Sequence, residues 1–194
     1  MLPELRPDIL LEAYAEGLFP MAGEDGEIMW FSPDPRAIIP LDGFHVSGNL
    51  RRRCESGRFT VTVDQAFDKV ITCCADREDG TWISADMIEA YTRLHELHHV
   101  HSVETWLEGQ LAGGLYGVTL GGAFFGESMF HRRTDASKVA MVFLVERMAQ
   151  RGFSLLDIQF MTDHLARFGA IEIPRSQYLE RLDFALSGKC VFAD

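Results

Sequence analysis

The sequence predicts an α/β fold of the mixed α+β kind, in which one sheet carries both meander strands and helix-connected strands, and three observations lead there. Residues 100–130 alternate as three strand-like segments, VHSVETWLEG, QLAGGLYGVTLGG and AFFGESMF, separated by the glycine-bearing turns of an antiparallel meander. From residue 136 onward helical and strand-like segments alternate, the order expected of a sheet with helices packed on it. Pro33, Pro35 and Pro40 lie within eight residues and keep the backbone extended. A small N-terminal lobe over residues 1–38 is expected to end in that segment, leaving 39–194 as the main domain.

In chain order, Asp8 can cap a short helix over 8–18, where Ile9, Leu10, Ala13 and Tyr14 fall at helical spacing before Gly17. SGNLRRRCESGR (47–58) reads as a cap and short helix with a basic face, and FTVTVD (59–64) alternates as a strand. Residues 64–73 are expected to be helical. REDGTWIS then supplies a turn with an exposed Trp82, followed by an amphipathic helix over 85–99 whose apolar stripe runs through Met87, Tyr91, Leu94 and on to His98. Thr134 and Asp135 can cap a helix over 136–151 that Gly152 terminates. FSLLDIQF returns as a strand, Asp163 can cap a short helix ending at Gly169, and AIEIP is a last strand before the helix SQYLERLDFALS.

The totals exclude several classes. A chain of 194 residues with 47% hydrophobic and 24% charged residues is long enough for a sizeable core and is neither disordered nor fibrous. No apolar run approaches the roughly 20 residues of a membrane span, and MLPELRPDIL has no basic region leading into an apolar one, so the expected compartment is the cytosol. Cys54, Cys73, Cys74 and Cys190 lack CxxC spacing and are expected to be free thiols. A net charge of -11 opposes general attraction to nucleic acid, so any RNA contact has to come from a local patch.

Polar residues in apolar strand segments are the candidates for chemistry. Side chains two apart on a strand share a face, so Asp157 and Gln159 project together while Leu156, Ile158 and Phe160 pack opposite. Glu127 lies likewise between Phe125 and Ser128. If the two strands are neighbours, two carboxylates and an amide converge on a site that suits an amine and a developing oxyanion. The other reading is a buried polar network that fixes sheet register. HELHH at 95–99 matches the zincin pattern through His95, Glu96 and His99, but the apolar stripe avoids Glu96 and no third ligand follows at suitable spacing, so no metal is expected. Arg51, Arg52, Arg53 and Arg58 form one basic cluster, and His131, Arg132, Arg133 and Lys138 a second; each is either a set of phosphate contacts or a solvated face.

Taken together, GLFP (17–20), WFSPDPRA (30–37), DREDGTWIS (76–84), AYTRLHELHHVHSVETW (90–106), GGLYGV (113–118), GESMF (126–130), ASK (136–138) and LLDIQFMTDHLARFGAIEIPR (155–175) span nearly the whole chain. That ordered pattern resembles the leucyl/phenylalanyl-tRNA-protein transferase family. The resemblance implies a cytosolic enzyme that moves leucine or phenylalanine from charged tRNA to the N-terminal arginine or lysine of an acceptor protein, marking it for degradation. It also implies a main domain similar to the N-acyltransferase (GNAT) fold, preceded by a small α/β lobe, acting as a monomer without a cofactor. RRTDASK stands where acetyl-CoA enzymes carry [RQ]-x-x-G-x-[GA], which agrees with an aminoacyl-ester donor.

By the same resemblance, Asp157 and Gln159 are the catalytic pair and Glu127 orients the aminoacyl group. Trp82, Leu115, Phe124, Met129, Met141, Leu144 and Leu156 line the apolar pocket for the transferred side chain, and Arg51, Arg52, Arg53 and Arg58 bind tRNA. Asp157 is expected to accept the amine proton, directly or through Gln159. The chain departs from the family's pattern in a short segment before the first shared helix and in Met21, which stands where an aromatic residue often follows FP.

Overall fold

A computed structural model describes residues 5–23, 25–77 and 80–193. Glu78 and Asp79, part of the turn expected before Trp82, lie outside those residues. Helix α1 (Pro7–Ala15) begins on a proline, whose missing N–H is no loss at that position. Arg6 occupies the cap position and donates to Asp8, which therefore sits in the first turn and does not cap the helix. Strands β1 (Phe19–Ala22) and β2 (Ile28–Phe31) form a separate antiparallel hairpin, and the proline-rich segment leads into β3 (Arg36–Ile39). Ser47 caps α2 (Gly48–Glu55), its Oγ accepting from Leu50 N at 3.3 Å, before β4 (Thr60–Val63).

Helix α3 (Phe67–Ala75) starts three residues later than the spacing predicts, because Asp64 adopts φ 58° and turns the chain first. Helix α4 (Ala85–Glu96) is capped by Ser84 and ends three residues early, with His98 exposed at φ 61°, so the apolar stripe stops at Leu94. The meander follows as β5 (Val100–Leu107), β6 (Gln110–Leu120) and β7 (Ala123–His131). Helix α5 (Ala136–Arg151) has the predicted bounds and ends at Gly152, whose φ of 78° is the left-handed cap that glycine adopts without a Cβ penalty. Asp135 is at its cap position but makes no side-chain cap bond; Lys138 takes its carboxylate instead. Strand β8 (Leu155–Gln159), helix α6 (Asp163–Ala166), strand β9 (Ile171–Ile173) and helix α7 (Arg175–Leu186) complete the chain. Thr162, not Asp163, caps α6 through its Oγ1.

The main sheet has seven strands in the order β4-β5-β6-β7-β8-β3-β9. Every described pairing is antiparallel except β7 with β8, which the α5 crossover makes parallel. Its two faces bury separate cores. One collects Tyr14, Tyr91, Tyr116, Phe125 and Leu155 under α1, α3, α4 and α7; the other collects Leu115, Phe124, Met141, Leu144 and Leu156 under α5. Covered on both sides, the central strands are apolar on both faces, so a buried polar side chain there needs a partner. Strand β3 lies between β8 and β9, so the expected division at residues 38/39 falls inside a strand of the main sheet. Among the described residues no helix is long and apolar enough to cross a membrane.

Candidate active site

Two irregularities in the sheet create the site. Tyr116 pairs with Ser128 and Gly117 with Gly126, which leaves Glu127 as an extra residue in β7 with no partner across the ladder. Ala37 pairs with Gln159 and Ile38 with Asp157, which makes Ile158 the extra residue in β8. A bulge of this kind bends the strand and re-aims the side chains beside it. Gly117 permits the first one, since a Cβ there would collide with Phe125 O and the Phe124 ring. The second sets Gln159 at φ 64°, a left-handed conformation that costs a non-glycine residue on the order of 1–3 kcal/mol. Pairing between β7 and β8 reaches only Phe125 opposite Asp157, and a cavity of about 350 Å³ opens where it stops.

Glu127 is on the wall of that cavity and is nonetheless only 7% exposed. Its Oε1 accepts from Tyr14 OH at 2.7 Å and from Gln159 Nε2 at 2.9 Å, and its Oε2 accepts from Tyr91 OH at 3.2 Å. The two phenols are themselves 2.6 Å apart. Burial among these neutral partners pushes the Glu127 carboxyl up to about 8, against the lowering pull of the Tyr14 hydrogen bond, with the Asp157 charge adding to the rise.

Asp157 sits beside it in another environment. It is fully buried, and Arg36, 1% exposed, grips it with Nε to Oδ1 at 3.0 Å and Nη2 to Oδ2 at 2.7 Å. Tyr178 OH donates to Oδ2 at 2.8 Å and Gln159 N to Oδ1 at 2.9 Å. Arg36 also donates to Gly17 O at 3.0 Å and lies over the rings of Phe19 and Tyr178. A carboxylate with both oxygens engaged and its charge balanced this way is an anchor. Gln159 joins the two groups, its backbone held by Asp157 and its side chain by Glu127.

The remaining walls are mainly apolar. Trp82, Leu115, Met129, Met141, Leu144 and Leu156 line the cavity, together with Met21, Tyr116, Ile158 and Phe160. Phe124 does not line it; its ring is fully buried and packs on Phe192 at 5.1 Å. Phe160 does not continue the row of Leu156 and Ile158, because the bulge carries it past the strand end to the cavity rim, 44% exposed and edge-on to Phe19. Trp82, expected to be exposed, is half-buried. Arg77 adds a cation at the wall and donates to Ser128 Oγ at 2.8 Å.

The other sequence candidates are spread over the surface. His95 is stacked on Phe67 with Nδ1 2.8 Å from Val100 O, His99 Nδ1 is 3.4 Å from Thr119 O, and Glu96 is exposed, so HELHH does not converge. Arg51 and Arg52 are exposed on α2, and Arg53 pairs with Asp135 at 3.6 Å. Arg58 shares a surface cavity with Arg132 and Arg133, which brings the two basic clusters together. Sequence reasoning missed Arg36, Tyr14, Tyr91 and Tyr178. A charged residue opening the apolar run RAII was the available signal for Arg36; the tyrosines read as core because their rings are core.

Known proteins match the chain in two segments. The family model for the leucyl/phenylalanyl-tRNA protein transferase matches residues 38–183, and the model for the N-terminal domain of the same transferase matches residues 3–34. A leucyl/phenylalanyl-tRNA–protein transferase of Rhodopseudomonas palustris (strain TIE-1) is 55% identical over 98% of this chain and 87% of its own length. Those of Salinibacter ruber and Gloeobacter violaceus are 54% and 53% identical, over 96% and 99% of this chain and 82% and 100% of their own. Among solved structures, L-PGS from Bacillus licheniformis aligns with a TM-score of 0.45 at 16% identity, over 79% of this chain and about half, 53%, of that one. Two family models that together run from the first helix to the last, and relatives matching at more than half of all positions, point to one lineage: the chain belongs to the leucyl/phenylalanyl-tRNA–protein transferase family.

Proposed function

We propose that this protein transfers leucine or phenylalanine from its aminoacyl-tRNA to the N-terminal arginine or lysine of acceptor proteins, marking them for degradation, as a cytoplasmic monomer that uses no metal or cofactor. One observation carries the reading: an apolar cavity of side-chain size has Glu127 and Gln159 together on one wall. The transferred side chain occupies the space between Trp82, Leu115, Met129, Met141, Leu144 and Leu156, and Phe124 supports that wall from behind. The parallel pair that parts after three residues, inside an otherwise antiparallel sheet, supports an N-acyltransferase-like main domain.

The ester is already activated, so the protein has mainly to place amine against carbonyl. The amine attacks the ester carbonyl carbon, a C–N bond forms, the bond to the ribose oxygen breaks, and the proton shed by the amine is replaced on the departing ribose oxygen. Gln159 gives one Nε2 hydrogen to Glu127 and offers the second to the oxyanion. Glu127, with its carboxyl poised near 8, holds the amine and takes its proton. Asp157 is the positioning residue: it fixes the Gln159 backbone while Arg36 balances its charge. Arg51, Arg52, Arg53 and Arg58 contact the tRNA, and a cationic acceptor suits a chain whose net charge is -11.

The test is transfer of labelled leucine or phenylalanine from charged tRNA to a peptide beginning with arginine or lysine. Incorporation above an uncharged-tRNA control is expected. Binding of charged tRNA without incorporation would make the protein a silent RNA-binding module and overturn the reading.

A further inference from the structure

The cavity that holds the aminoacyl group shares one of its walls with a second cavity, and the two differ in chemistry. His164 borders both. Beyond it lie His45, Ser47, Leu50, Lys138, Arg167 and Phe168, with no acidic residue among them, on a chain that carries 29 carboxylates to 18 cations. Neither basic cavity further out shares a lining residue with the aminoacyl cavity.

We infer that this second cavity is a phosphate subsite for the single-stranded 3′ end of the donor tRNA, taking the phosphate on the 5′ side of the terminal nucleoside. The inference rests on the transferase reading above. An aminoacyl ester at Gln159 fixes the ribose at the mouth of the first cavity, and the nearest phosphate then lies one ribose away. That phosphate has to leave the apolar walls, and the adjoining space is where cations are collected. Arg167 and His45 are exposed and supply donors, and Ser47 keeps its hydroxyl hydrogen, since its Oγ acts only as acceptor in the α2 cap. Asp135 takes up part of the Lys138 charge at 2.9 Å, so Arg167 carries most of the attraction.

His164 reports the local field. Its imidazole Nε2 is buried without a hydrogen-bond partner among the described residues, and its ring stands edge-on to Phe168. Burial lowers its pKa, and the positive charges of Lys138, His131 and Arg167 lower it further. An anion placed among them removes that repulsion. Leu50 carries the groove to α2, whose exposed Arg51 and Arg52 follow in sequence, so the chain of phosphates continues along that helix.

The experiment uses 3′-phenylalanylamido-3′-deoxyadenosine, an amide that cannot be transferred, prepared with and without a 5′-phosphate. Calorimetric titration of the full-length protein at low salt should give about tenfold tighter binding for the phosphorylated compound, an advantage that shrinks as salt rises. The double variant H45A/R167A should bring the two affinities within about twofold, whereas Arg167→Lys should retain most of the preference. Both positions are exposed, and an unchanged thermal melting curve verifies folding. Equal affinity of the two compounds for the parent protein overturns the subsite, as does a preference that survives H45A/R167A. Failure of both compounds to bind instead rejects the transferase reading.

Discussion

Glu127 and Asp157 lie on neighbouring strands, in one hydrogen-bonded network, and both are buried, yet their surroundings oppose each other. Glu127 is held by two phenols and an amide, all neutral, and burial pushes its carboxyl up to about 8. Asp157 faces a guanidinium that grips both of its oxygens. The first can gain or lose a proton near neutral pH and borders the cavity; the second is gripped by Arg36 behind it. Burial alone therefore does not tell one carboxylate from the other. The partner's charge does, together with the bulge that turns one side chain toward the open space.

The largest break in that contrast comes from removing the cation. Arg36→Ala leaves Asp157 buried without its counter-charge and should lower stability by about 3–5 kcal/mol, read from urea unfolding at pH 7. The paired change R36M/D157L should recover most of this loss while transfer stays low, because the Gln159 N–H has lost its acceptor. A cost under about 1 kcal/mol for Arg36→Ala would place the pair among ordinary surface contacts. Next in size, Gln159→Gly suits the φ of 64° and should keep the fold, yet lower the transfer rate by roughly 10²–10³-fold through loss of an oxyanion donor. Full activity in that variant would remove Gln159 from the chemistry.

The effect that is smallest per step of the measurement sharpens the contrast through pH. The Glu127 carboxyl is raised from 4.5 to about 8, so the folded chain holds this proton more tightly than the unfolded chain. Its stabilising contribution is complete below about 4.5 and is lost as pH rises toward 8, with a limiting slope of about 1.4 kcal/mol per pH unit. Glu127→Gln should flatten that slope in denaturation at several pH values and abolish the rise of transfer rate near pH 8. Identical slopes in parent and variant would show that the proton resides elsewhere.

Much of the fold was legible because local rules agreed with one another. Ala136–Arg151 was bounded correctly since apolar spacing and a terminal glycine point to the same helix. Bounds failed where capping chemistry is degenerate: Asp8 and Asp163 were plausible caps, but Arg6 and Thr162 hold those positions. Asp157 and Gln159 were rightly singled out as polar groups in an apolar strand, but strict two-residue alternation misplaced Phe160. An inserted residue leaves no mark on composition or periodicity until its partner strand is known. Phe124 was placed in the cavity by resemblance, and its position on a face packed against Phe192 depends on that register.

By itself the sequence determined the order of the helices and of the strands from residue 59 onward, though not β1, β2 and β3, together with the absence of a membrane-length apolar run, the polar residues that stand out in apolar strands and, through its motifs, the family. Those follow from short-range physics: side-chain period, turn preference and local charge. Only the tertiary structure decided that Arg36, 121 residues before Asp157, neutralises it, and that Tyr14, 113 residues before Glu127, holds the other carboxylate. Which buried charge is balanced is settled by contacts between distant segments, and no local pattern encodes them.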